Sequence, residues 1–132
     1  MYRSPPRRLN SVSMFSPAPC RDARDQVLAQ LATLGVNAVI LPFEATDYAA
    51  IPAIAEKAWG WQGRIDGLVN NAGISQRSLA IDTDFAVYQQ IVAVDLLAPI
   101  ALTQALLPRM VGAGGGQIIA ISSVAGIAGV PL

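Results

Sequence analysis

Ile65-Asp-Gly-Leu-Val-Asn-Asn-Ala-Gly73 reads as a short buried strand that stops abruptly in amides and glycine. Leu68 and Val69 suit the interior of a parallel sheet, where both faces are covered and strands look continuously apolar. Asn70 and Asn71 place two amide side chains where the strand runs out. An amide both donates and accepts, so it can tie a strand end to neighbouring segments. Ala72 and Gly73 keep the exit free of bulk and let a ligand approach the backbone. In open α/β sheets, ligands sit beyond the carboxyl ends of the strands. A plain strand followed by an Asn-Gly type of turn is the competing reading of these nine letters.

The flanking pattern decides for α/β. Val27, Leu28, Leu31 and Leu34 recur at helical spacing, and Gly35 stands where a C-terminal cap belongs. Residues 38–43, Ala-Val-Ile-Leu-Pro-Phe, are expected to form a buried strand with Pro42 near its exit. Thr46-Asp47 then offers an N-cap for a helix to about Ala58, with Ile51, Ile54, Ala55 and Ala58 on one face and Pro52 costing a backbone bond inside it. Thr83-Asp84 caps a long apolar helix running past Met110, which Pro99 should kink or divide. Gln117 to Ser122 is the next buried strand, and Ser122-Ser123 stand at its end. Strand, helix, strand, helix, strand implies right-handed crossovers and a parallel sheet. Both polar strand ends, Asn70-Asn71 and Ser122-Ser123, should then face one ligand.

Composition narrows the chemistry. The 132 residues suffice for one domain, and 14% charged residues fall well under the ~25% usual for a soluble domain. That deficit suggests elements buried on more than one side. Nine basic and nine acidic residues cancel, which argues against a nucleic-acid partner. The sequence holds no His, so a Ser hydrolase lacks its base and a metal site its commonest ligand. Cys20 is the single cysteine, which rules out an internal disulfide and fits a reducing, cytoplasmic setting. No uninterrupted stretch reaches the ~18 apolar residues of a membrane span. Residues 1–20, rich in Pro and Ser, are expected to be an irregular leader, followed by the domain at 21–132.

Leu68-Val-Asn-Asn-Ala-Gly73, Val94-Asp-Leu-Leu-Ala-Pro99, Leu107-Pro-Arg-Met110 and Gln117-Ile-Ile-Ala-Ile-Ser-Ser-Val-Ala-Gly126 come in the order and spacing of short-chain dehydrogenases/reductases. Leu41-Pro-Phe-Glu-Ala-Thr-Asp47 resembles the family segment bordering the adenine pocket. The resemblance covers about residues 21–132. It implies a Rossmann-like, doubly wound parallel sheet, here incomplete, with the family's first and second strands and its C-terminal part missing. It implies hydride transfer between NAD or NADP and a small alcohol or carbonyl substrate.

Residue by residue, Ser123 resembles the catalytic serine that orients the substrate carbonyl. Asn70, Asn71, Ala72 and Gly73 resemble cofactor contacts. Glu44 stands where the family usually has an Asp bonding the adenine amino group, with Ala45 against the ring. Asp95 takes the place of the Asn that helps hold a proton-relay water, trading a donor for a charge. The helix at 85–111 resembles the family's dimerisation helix and implies a homo-oligomeric parent. Two family features do not occur in these residues. Tyr2, Tyr48 and Tyr88 have no lysine four positions on, and no glycine-rich pyrophosphate turn follows a first strand. Gly112-Ala-Gly-Gly-Gly116 follows a helix and precedes a strand, the reverse of a phosphate site. The expectation is a dehydrogenase fragment that is inactive alone. The alternative is a non-catalytic remnant that at most associates with other chains.

Overall fold

The computed structural model describes Ser11–Met14 and residues 21–128, with side chains from residue 25 onward. Three four-residue strands form one parallel sheet in the order β1-β2-β3. They are β1 (Ser11–Met14), β2 (Gly67–Asn70) and β3 (Gln117–Ala120). Ser11 faces Gly67 and Met14 faces Asn70 on one side; Gly67 faces Gln117 and Asn70 faces Ala120 on the other. The carboxyl ends of all three strands therefore share one edge, as the alternation of elements predicts.

Helix α1 (Arg21–Thr33) ends as its glycine demands. Gly35 takes φ +68°, its N–H donates to Ala32 O at 3.0 Å, and the Val36 N–H reaches Leu31 O at 2.9 Å. This pair of bonds is the Schellman motif, which only a left-handed residue permits cheaply. The apolar side of α1 is only partly covered: Leu28 and Leu31 are half-buried, while Val27 and, just past the helix, Leu34 are exposed. Helix α2 (Ile51–Gln62) and helix α4 (Ala98–Gly112) supply the helical layer of the core instead. Ile51, Ala55 and Ala58 meet Leu102, Leu106 and Met110 over Ile65 and the fully buried Leu68. The four-residue spacing of Leu102, Leu106 and Met110 puts them on one stripe.

Helix α3 (Phe85–Val92) begins at Asp84, whose carboxylate accepts the Ala86 N–H at 3.0 Å, as its position predicts. Between α3 and α4, residues Ala93–Leu97 form a wider, five-residue turn in which Ala98 N–H donates back to Ala93 O. Pro99 explains it. With no N–H at Pro99, the Asp95 carbonyl has no helical donor, and the ladder slips by one residue instead of breaking. Arg64 secures the far end: it pairs with Asp66 and its Nη1 donates to Ala113 O at 2.9 Å.

Several expectations are corrected. Ser11–Met14, inside the supposed leader, is a strand; the rest of residues 1–20, Cys20 included, lies outside the described residues. Residues 38–43 are not a strand, because β1 already occupies the place beside β2 and Leu41 and Phe43 serve as packing against the core. Residues 46–50 form a turn, so α2 starts at Ile51 and extends to Gln62. Pro52 falls in its first turn, where its missing N–H costs nothing. Finally, the continuous helical run Phe85–Gly112 is long and apolar enough to cross a membrane by length and composition. The sequence count misses it because Asp95 and Arg109 interrupt the apolar letters without ending the helix. Leu102, Leu106 and Met110 at its C-terminal half are core residues of this domain.

Two glycines should respond oppositely to alanine. At Gly116 a Cβ would lie 2.6 Å from Met110 Cε and 2.9 Å from the Asp66 carbonyl oxygen. The methyl can move and the carbonyl cannot, so Gly116→Ala should cost about 1–3 kcal/mol. Gly60, inside α2, has nothing within 4 Å of that position. Gly60→Ala should stabilise by roughly 0.5–1 kcal/mol through helix propensity. Urea midpoints of the two variants check both signs.

Candidate functional site

Three short connections meet at the carboxyl edge of the sheet. The first leaves β2. Asn70 is only 7% exposed, and its Nδ2 donates to Thr103 Oγ1 of α4 at 3.2 Å. Its Oδ1 is buried with no protein partner. Asn70 thus ties the strand end to the helix, while its side-chain carbonyl has no donor among the described residues. Asn71 and Gly73 are exposed, while Ala72 packs on the core.

Asp95 closes this loop from the other side. Its Oδ1 accepts the Ile74 N–H at 2.8 Å, and a Cβ on Gly73 would stand 3.7 Å from the same oxygen. The widened turn at Ala93–Leu97 therefore has a local purpose, because it carries the carboxylate that pins the loop after β2. An asparagine at position 95 could accept the same bond through its side-chain oxygen. Asp95 is exposed and near Gly73, so it lies beside the edge the sequence places it on.

The second connection precedes α2. Glu44 is exposed, and its Oε1 accepts from Thr46 Oγ1 at 3.1 Å and, more weakly, from Thr46 N at 3.4 Å. Ala45 is buried, so the apolar surface next to Glu44 is already covered. Tyr48, which the sequence reading passes over, donates its hydroxyl to Ala93 O at 3.1 Å. Only its aromatic ring beside a turn signal could have drawn notice.

The third connection leaves β3. Ile121 N–H donates to Asn70 O at 2.9 Å, extending the pairing one residue beyond the strands. Ser123 is exposed, and its Oγ accepts the Ala125 N–H at 3.2 Å, capping a short turn at Val124–Gly126. Its hydroxyl hydrogen is left to donate outward. Among the described residues no hydrogen bond joins Ser123 to Asp95 or Asn71; what unites them is the shared strand edge. No group of His, Cys, Asp and Glu among the described residues could hold a metal ion.

Asn71, Gly73 and the Ser123 hydroxyl are exposed at this edge, whereas the Asn70 side-chain oxygen lies buried behind it. The sequence that follows β1 lacks the glycines of a pyrophosphate turn. The segment after β1, Phe15-Ser-Pro-Ala-Pro-Cys20, contains no glycine, and its two prolines offer no N–H; Asp22 and Asp25 follow in the first turns of α1.

Comparison with known proteins agrees with this geometry. The sequence profile of the short chain dehydrogenases matches residues 15–132. The human dehydrogenase/reductase SDR family member 7 is 39% identical over 94 residues, which are 71% of this chain and 28% of that protein. Member 7B of Xenopus laevis is 38% identical over 89 residues, 67% of this chain and 28% of its own length. Among solved structures, a 7α-hydroxysteroid dehydrogenase complexed with NADH and 7-oxo glycochenodeoxycholic acid superposes with a TM-score of 0.78. It is 28% identical, and the match covers 91% of this chain and 45% of that one. ElxO with NADP bound gives a TM-score of 0.75 at 25% identity, covering 90% and 48%. The chain thus spans 28% of these curated relatives and under half of these solved chains.

Thr103 should prove structural. Thr103→Val keeps the shape but leaves both polar atoms of the Asn70 amide without a protein partner, which should cost about 1–3 kcal/mol. Thr103→Ser retains the hydroxyl and should recover most of that loss in the same denaturation assay.

Proposed function

This chain belongs to the short-chain dehydrogenase/reductase family, and from that premise we propose that it forms the nicotinamide-side and substrate-side portion of an NAD(P)-dependent oxidoreductase acting on a small alcohol or carbonyl. One observation carries the proposal. The exits of β2 and β3 lie side by side on one sheet edge, with Asn71, Gly73 and Ser123 exposed there.

A nicotinamide cofactor bound at that edge would supply or accept the hydride. Asn71, Ala72 and Gly73 would contact its nicotinamide end, with Asn70 holding the strand end behind them, and exposed Glu44 would border the adenine, with buried Ala45 supporting the turn beneath it. Ser123 would donate its hydroxyl hydrogen to the substrate oxygen while its lone pair keeps the Ala125 N–H. Such a bond strengthens as negative charge develops on that oxygen, so it acts on the transition state. Asp95 holds the backbone at Ile74, and so the shape of the loop, whatever further part it takes in a water relay. No tyrosine–lysine pair spaced four apart occurs among the 132 residues, so the tuned proton donor must lie elsewhere in an active enzyme. A cytoplasmic setting goes with this proposal, on the strength of the single cysteine.

A second reading has one observation in its favour. Along Phe85–Gly112, the residues Phe85, Val92, Leu96, Leu107 and Val111 are exposed. A non-catalytic association segment would use that surface.

As a 132-residue polypeptide, the chain should neither bind a nicotinamide cofactor tightly nor reduce a carbonyl. The sequence between β1 and α1 offers the pyrophosphate no glycine-rich turn, and general acid–base catalysis, typically ~10²–10⁴-fold, has no matching tyrosine–lysine pair. Fluorescence titration with NADH and NADPH and an assay over a panel of aldehydes and ketones test both halves. Micromolar affinity or measurable turnover would count against it.

In a full-length enzyme carrying this segment, Ser123→Ala should lower kcat by roughly 10²–10³-fold, the size of losing one oxyanion donor. Cofactor affinity should change little. Equal turnover in the two enzymes would remove Ser123 from the mechanism.

A further inference from the structure

We propose that Tyr48 is a positioning residue for the cofactor edge: by holding the Ala93 carbonyl it sets the widened turn at Ala93–Leu97, and through Asp95 the backbone of Ile74. The cofactor consequence rests on the oxidoreductase reading above; the mechanical coupling does not.

Ala93 O has two acceptor positions, and both are used. Ala98 N–H donates to it along the helix, and Tyr48 Oη donates to it from the turn before α2 at 3.1 Å. The first bond reaches back five residues, as the turn does throughout, because Pro99 offers no N–H to the Asp95 carbonyl and the ladder there slips by one. A five-residue turn is rare and competes with tighter helical geometry, so an outside bond to its first carbonyl biases the choice.

Tyr48 is well placed to supply that bias. Asp47 N–H donates to Glu44 O at 3.1 Å, and Ala50 N–H donates to Asp47 O at 3.0 Å and Oδ1 at 3.2 Å. The tyrosine backbone is thus held inside two consecutive turns, directly ahead of the buried Ile51. The same turn carries Glu44 and Ala45. On the other side of the helix distortion, Asp95 Oδ1 takes the Ile74 N–H at 2.8 Å, just past Asn71, Ala72 and Gly73. Five helical residues are therefore clasped from two loops, one assigned to the adenine end and one to the nicotinamide end. Tyr48 makes their spacing a single mechanical quantity.

Hydrogen exchange on the chain itself tests the coupling without any cofactor. Tyr48→Phe removes only the hydroxyl. The amides of Ile74 and Ala98 should then exchange about three- to ten-fold faster, the factor one net intramolecular hydrogen bond supplies. The amides of Leu106 and Met110, in the core half of α4, should keep their rates. Asp95→Ala should speed Ile74 by a similar factor and leave Ala98 alone, and Asp95→Asn, which keeps an acceptor, should restore Ile74. An unchanged Ile74 amide in Tyr48→Phe would overturn the proposal, and so would an equal acceleration of every amide, which is loss of global stability. In a full-length enzyme, Tyr48→Phe should raise the KM for cofactor several-fold at nearly constant kcat. Failure of that arm with the exchange result intact would fault the oxidoreductase reading and leave the coupling standing.

Discussion

Parallel pairing on both sides of Gly67–Asn70 is the constraint from which the rest follows. A central strand must place its backbone N–H and C=O groups on two neighbours, because neither can reach water once Leu68 is buried. Ser11–Met14 meets that need on one side and Gln117–Ala120 on the other. Only one strand can stand in each place. Residues 38–43, apolar and extended as they are, were therefore left to cover the core's margin with Leu41 and Phe43. Pairing also gathers the strand exits at one edge, which is the only reason Asn71 and Ser123 can serve one ligand.

The long helical run is two helices in purpose, though one in continuity. Its C-terminal half buries Leu102, Leu106 and Met110 and is fastened at its end by Arg64. Its N-terminal half shows Phe85, 71% exposed, to solvent and has no buried residue in α3. Pro99 sits at the join. The slipped ladder there is what projects Asp95 toward the loop after β2 and offers Ala93 O to Tyr48. A proline that removes one bond from a helix thereby creates two attachment points for loops.

Much of this was legible in the letters. Leu68-Val-Asn-Asn-Ala-Gly73 reads as a strand ending in amides, and Asn70 does tie that end to its neighbour, though the identity of Thr103 as partner needed three dimensions. Gly35 and Asp84 cap the helices their chemistry predicts, since caps are local. Local logic failed where a choice depended on remote competitors. Ser11–Met14 alternates polar and apolar, but four letters between prolines are too short a strand signal to stand alone, and its place in the sheet is set by β2. Residues 38–43 have strand letters and no strand partner among the described residues. Pro52 reads as a helix defect only if the helix is capped at Thr46 or Asp47 instead of Ala50. At the site, Asp95 was visible by its place in a motif, whereas Tyr48 was not, because its bond to Ala93 spans 45 positions.

All four residues of β3 are exposed, its outer backbone groups have no neighbour among the described strands, and Ile118, Ile119 and Ile121 run together without charge or proline. Natural sheets usually guard such an edge with lysine, a bulge or a covering loop. Gln-Ile-Ile-Ala-Ile-Ser is also the kind of short, uncharged, β-prone segment that stacks with copies of itself. The working lifetime of the isolated chain is then a matter of encounters. It should be set by concentration more than by temperature, and dilution should preserve it where cooling would not.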